Sequence, residues 1–174
     1  FPEKTEKERK RIAKAFYHNF VDTFIETLKF ISWNLQAIEK RFTADLSGFE
    51  KAYASGKNIN LVGMHNFNWE YANWWLAAHL KYPWLGIYMP VGNKAFDRII
   101  RNMRGKYGTV LLPATDFKKH YLKYDNTLHV LGSAADQSPG NPENAYWAIF
   151  FYLSTSFVTG VEKGASINNS AVVF

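Results

Sequence analysis

The chain contains no cysteine, so a disulfide framework, thiolate metal sites and a cysteine nucleophile are excluded together. No apolar run approaches the ~18 consecutive residues that a membrane-spanning helix needs, and no apolar segment follows the charged start FPEKTEKERKR as one would in a signal peptide. The piece of chain is therefore expected to be soluble on its own. Neither GxGxxG nor GxxxxGK[ST] is present to cradle a phosphate, and no HxxxH or HExxH spacing offers a pair of metal ligands. A GxSxG elbow that would present a serine nucleophile is also missing.

The chain does have enough apolar residues for a core. Its 174 residues are 47% hydrophobic and 21% charged, which fits one globular domain. A formal net charge of +6 favours acidic partners, a class that includes nucleic acid, anionic lipid head groups and acidic carrier proteins. Charge alone does not choose among them. An aromatic content of 17% implies either a large core or apolar surface that meets lipid.

Hydrophobic spacing predicts alternating helices and strands. Ile12, Phe16, Phe20, Phe24, Leu28, Ile31, Leu35 and Ile38 recur in steps of four or three, the stripe of one long helix or two shorter ones between Glu6 and Phe42. Ser55-Gly56-Lys57-Asn58 reads as a turn, and Ile59 to Met64 as a buried strand. Asn66 and Asn68 suit a helix N-cap before a helix from Trp69 to about Lys81. Leu85 to Val91 follows as a strand, Ala95 to Lys106 as a helix and Thr109 to Leu112 as a strand. A helix through Phe117 to Tyr121, strands over Leu128 to Ser133 and near Phe150 to Phe157, and a helix after Gly160 continue the pattern. The apolar end, Ser170 to Phe174, reads as the start of a further strand, so the chain is expected to be a fragment of a longer one.

Gly63-Met64-His65-Asn66-Phe67-Asn68-Trp69-Glu70 is the segment richest in chemistry. Five positions on a regular helix turn through roughly 500°, so His65 and Glu70 would point to different faces of it. Placed across a strand-to-helix junction, the histidine can fold back toward the carboxylate. A carboxylate on one ring nitrogen leaves the other free to take a proton from a hydroxyl, while the N–H groups at a helix start favour a developing oxyanion nearby. From spacing alone, a hydrogen-bonded structural histidine and a solvated glutamate are the better explanation of the motif. His18, His79, His120 and His129 have no comparable setting and are taken as surface or core residues.

GMHNFNWE, Asn93-Lys94-Ala95-Phe96 with Arg104-Gly105-Lys106-Tyr107-Gly108, Ala135-Asp136-Gln137, and Thr159-Gly160-Val161-Glu162 together resemble the bacterial lipid A late acyltransferases. These belong to the wider glycerolipid acyltransferase group, marked by a histidine and an acid with four residues between them. The blocks stand in the family's order, and the opening FPEKTEKER is similar as well. The second basic residue that often follows in the family is Lys106 here, which weakens a bidentate role at that position, and one position departs from the pattern, Gly164, where an apolar residue is usual.

The resemblance implies an α/β fold with a mixed, mostly parallel sheet flanked by helices, in one acyltransferase domain over residues 1–174. A helical segment would occupy 1–50, and an α/β catalytic core 51–174 with its C-terminal part missing. By the same resemblance, His65 is the catalytic base, Glu70 orients it, and Asn68, Asn93, Arg104, Asp136, Gln137 and Glu162 line the substrate site. The implied reaction moves a fatty acyl chain from an acyl carrier protein thioester to a hydroxyl of a lipid A precursor. The expected setting is the membrane surface at the cytoplasmic face of the inner membrane, with any anchor outside this chain. No metal or other cofactor is expected beyond the thioester co-substrate, and no nucleic acid partner. The basic stretch Lys4 to Lys14, with Trp33, Trp74, Trp75 and Trp84, is the expected interfacial patch. Acylation of another lipid, glycolipid or pigment is the competing enzymatic reading. A non-catalytic basic module for membrane or nucleic acid explains the charge but not the ordered blocks.

Overall fold

In the computed structural model, which describes residues 2–66 and 68–174, five parallel strands form one sheet in the order β3-β2-β4-β1-β7. The strands are β1 (Ile59–Gly63), β2 (Trp84–Tyr88), β3 (Val110–Pro113), β4 (Val130–Ala134) and β7 (Ala171–Val173). The α/β class expected from the sequence is found, and every pairing in this sheet is parallel. The antiparallel component is a separate hairpin of β5 (Tyr146–Phe150) and β6 (Leu153–Phe157), where the sequence pattern predicts a single strand.

Among the described residues, seven α-helices surround the strands: α1 (Glu6–Phe30), α2 (Leu35–Glu39), α3 (Ser47–Ala54), α4 (Glu70–His79), α5 (Lys94–Gly105), α6 (Phe117–Tyr121) and α7 (Gly160–Ile167). Thr5 starts α1 with a capping box: its hydroxyl accepts from Glu8 N–H, and the Glu8 carboxylate accepts from Thr5 N–H at 2.8 Å. Only the end of this helix is buried. Phe30 packs edge-on against Tyr71 and Trp74, while Phe16, Tyr17, Phe20, Phe24 and Leu28 remain exposed.

Alternation along the strands divides the core between the two faces of the sheet. Ile59, Trp84 and Val130 join Phe30, Ile38, Phe49, Trp74, Trp75 and Met103 on one face, whereas Leu85, Leu112 and Leu131 meet Phe117, Tyr121 and Tyr124 on the other. His129 is a core histidine in contact with Tyr121 Oη and the Thr127 carbonyl. Gly132 is required where it stands: a Cβ there would lie 2.1 Å from the Trp84 ring. Trp84 Nε1 in turn donates to Asn73 Oδ1 on α4 at 3.0 Å, so sheet and helix are tied at that point.

Candidate active site

The site forms because β1 and β4 are parallel neighbours. Gly63 is in register with Ala134, and Ala135 N–H donates to the Gly63 carbonyl at 3.2 Å. Both strands end there, at the carboxyl edge where parallel α/β sheets hold their ligands. His65 and Asp136 stand at equivalent positions beyond the register pair, and they meet. One carboxylate oxygen of Asp136 accepts from His65 N–H at 2.8 Å, and the other lies 2.9 Å from His65 Nδ1.

Burial works to raise the Asp136 pKa, but hydrogen bonds from the His65 backbone and ring, from its own N–H, and the nearby imidazole charge together leave it lowered. An ionised carboxylate only accepts, so Nδ1 carries the hydrogen in that contact. Neutral His65 then keeps an unprotonated Nε2, the form a general base requires.

Glu70 makes no hydrogen bond to His65 among the described residues, so the contact expected from the motif is not the one the structure shows. Glu70 opens α4 pointing inward, 2% exposed, and its Oε1 accepts from Arg104 Nε at 2.8 Å and Nη2 at 2.7 Å. Arg104 also lies over the Trp69 ring at 4.3 Å. Glu70 Oε2 is buried and has no hydrogen-bond partner among the described residues. Burial raises the Glu70 pKa, and the Arg104 charge and hydrogen bond oppose that rise without cancelling it. Arg104, expected to act as a cation toward substrate, therefore has a protein carboxylate as its first partner.

Asn68 is buried and structural. Its Oδ1 accepts from Glu70 N–H at 3.2 Å, while Nδ2 donates to the Thr23 carbonyl and to Glu26 on α1. Asn93 caps α5, with Oδ1 accepting from Ala95 and Phe96 N–H. These bonds place both asparagines at helix starts. Lys106 is likewise engaged, donating to the Trp33 carbonyl at 2.7 Å. Gln137 and Glu162 are exposed, and neither has a side-chain hydrogen bond or ion pair among the described residues. Phe67, inside the first motif, lies outside those residues.

Two supporting residues escape a motif search. Asn73 Nδ2 donates to the Arg104 carbonyl at 3.1 Å and Trp74 Nε1 to the Met103 carbonyl at 2.9 Å, which fixes the end of α5 and so the guanidinium against Glu70. Their only sequence signal is a polar residue and an indole within an apolar helix. Trp74, Trp75 and Trp84 are buried and Trp33 packs on the core, so the expected indole patch does not exist. Most of the exposed aromatics are instead on α1 and the β5–β6 hairpin, with Phe96 on α5 and Phe174 besides. No helix of the described residues is long and apolar enough to cross a membrane, and they include no cluster of three or more metal-ligating side chains.

The chain is thus an α/β protein with a histidine held by a carboxylate at the carboxyl edge of a parallel sheet. The model of the family described as bacterial lipid A biosynthesis acyltransferase matches residues 1–173. The chain belongs to that family and is an acyltransferase enzyme of lipid A and lipopolysaccharide biosynthesis, acting between an acyl donor and a lipid acceptor. No curated protein matches the chain.

Proposed function

We propose that His65, oriented by Asp136, is the general base that transfers a fatty acyl chain from an acyl carrier protein thioester to a hydroxyl of a lipid A precursor. The observation that carries this reading is the double contact of one Asp136 carboxylate with the backbone and ring of His65. Nε2 takes the proton as the acceptor oxygen attacks the thioester carbonyl carbon. The tetrahedral intermediate then collapses, the C–S bond breaks, and the imidazolium returns the proton to the leaving thiolate. A thioester is already activated, and the chain has no cysteine, so transfer is direct, without an acyl-enzyme or a cofactor.

Glu70 is a positioning residue in this scheme. It fixes Arg104, whose guanidinium has N–H groups beyond those given to Glu70 and so is able to meet the developing oxyanion or a substrate phosphate. Gln137 and Glu162, both exposed, are available to the acceptor. The work takes place at the cytoplasmic face of the inner membrane, and the basic start and exposed apolar stripe of α1 support a lipid surface as the setting.

The test is product mass spectrometry after incubation with a panel of acyl carrier protein thioesters and candidate lipid acceptors. An ester on a lipid A precursor is expected, and it should be lost in His65→Ala. Intact-protein mass after donor alone should show no acyl adduct; a kinetically competent adduct would overturn direct transfer.

A further inference from the structure

Between the loop that carries Asp136 and α7, the chain from Ala145 to Val161 contains no Asp, Glu, Lys or Arg. It forms the β5–β6 hairpin, closed at its base by a hydrogen bond from Thr159 Oγ1 to the Asn144 carbonyl at 3.1 Å. Phe150 is in register with Leu153, which leaves Phe151-Tyr152 as a two-residue loop with φ of 48° and 66°. Such loops favour Asn-Gly because both central residues need positive φ, a conformation that bulky side chains resist. Here the two positions hold aromatic rings that are 76% and 95% exposed. Packing among the described residues does not account for them: there, Phe151 makes a ring contact with its neighbour Phe150 alone, and Tyr152 makes none.

We propose that this hairpin is a lipid-inserting element, which places Phe150 to Leu153 in the interfacial layer of an anionic bilayer. Alternate residues of a two-stranded ribbon face opposite sides. Tyr146, Phe150 and Leu153 share one side and Trp147 and Ile149 the other, and all five are exposed. A protein partner or an added strand would cover one face or one edge, whereas lipid surrounds both faces and the tip. Tyr146, Trp147 and Tyr152 combine an apolar ring with a polar atom, the chemistry that settles at head-group depth. The formal net charge of +6 complements anionic head groups. The hairpin lies in the connection that leaves the carboxyl edge of the sheet after Asp136, so its insertion would bring that edge toward the lipid acceptor. The inference deepens the proposed lipid-surface reading, and its test needs no acyl-transfer assay, so the two fail separately.

The absence of cysteine lets a single one report its surroundings. Phe151→Cys carrying an environment-sensitive fluorophore is mixed with vesicles of phosphatidylcholine, or of phosphatidylcholine with phosphatidylglycerol. A blue shift, with quenching by lipids nitroxide-labelled near the head group, is expected and should be stronger with the anionic vesicles. A label at Lys119→Cys on α6 should not respond. In parallel, Phe151→Asn with Tyr152→Gly supplies the favoured turn pair and removes both rings. That variant should keep its circular dichroism and its melting temperature or raise the latter, while vesicle partitioning falls by about tenfold or more. The proposal is overturned if the label at 151 stays in water at saturating vesicle concentration, or if the folded double variant binds vesicles as well as the unmodified chain. A lipid-independent blue shift that grows with protein concentration, with a doubled mass in sedimentation, would assign the hairpin to a second copy and also overturn it. Should the double variant not fold, the labelled chain decides.

Discussion

Asp136, in an exposed loop, reaches the short connection between β1 and α4, whereas Glu70, in the buried first turn of α4, reaches Arg104 on α5. Asp136 meets a histidine through two hydrogen bonds that favour its charged form, and its pKa is lowered. Glu70 meets an arginine, but burial dominates and its pKa is raised. The comparison separates two tasks that the motif spacing runs together. A carboxylate that must stay ionised beside a base is better placed near water, where ionisation costs little. One that must hold a guanidinium rigidly is better placed in the interior, where a broken pair leaves an unsolvated charge.

The largest effect should come from the solvent-facing pair. His65→Ala is expected to lower kcat/KM by about 10²- to 10⁴-fold, as for a lost general base, and Asp136→Asn by a comparable factor through loss of the favoured tautomer. Melting temperatures should stay close to that of the unmodified chain, because both side chains are open to solvent. The buried pair should behave in the opposite way. Arg104→Met leaves Glu70 without its cation and is expected to cost about 3–5 kcal/mol, read from the denaturant midpoint. Glu70→Gln keeps the shape and an acceptor oxygen, so a loss of about 1–3 kcal/mol is expected. Replacing both members, Glu70→Leu with Arg104→Met, should recover much of the stability while activity stays low. If the single and double losses add, the pair is not coupled.

Smaller, but of opposite sign for the two carboxylates, is the dependence on pH. With a lowered folded pKa, Asp136 binds fewer protons in the folded than in the unfolded chain. Its contribution is therefore present above the ordinary aspartate value and is lost as pH falls through the lowered one. Glu70, with a raised folded pKa, contributes fully below the ordinary glutamate value and loses that contribution as pH rises through the raised one. Denaturation of the unmodified chain against Asp136→Asn and Glu70→Gln across the acidic range should show difference curves that slope in opposite directions. Parallel slopes would break the comparison.

Local pattern carries most of the fold. The strand that delivers His65, the helix after it and the amphipathic α5 are readable from residue spacing because each buries one recurrent face. The strand order is not readable. Only the adjacency of β1 and β4 brings Asp136 to His65, and nothing within either segment encodes which neighbour it takes. The motif therefore points to Glu70 as the histidine's partner, when the partner comes from a strand end 71 residues away. The hairpin is hidden for a different reason: Phe151-Tyr152 occupies a turn that glycine and asparagine usually mark, so the stretch reads as one strand. The misplaced indoles follow from the same limit, since Trp74, Trp75 and Trp84 have equal apolar weight in a core and at an interface.

The most direct test of Asp136 as the orienting group is the ring state of His65, read by long-range ¹H–¹⁵N correlation near neutral pH. The account predicts a hydrogen on Nδ1 and an unprotonated Nε2 in the neutral ring, a pattern preserved in Glu70→Gln and lost or mixed in Asp136→Asn. The opposite tautomer, or a pattern that survives Asp136→Asn and collapses in Glu70→Gln, would contradict it.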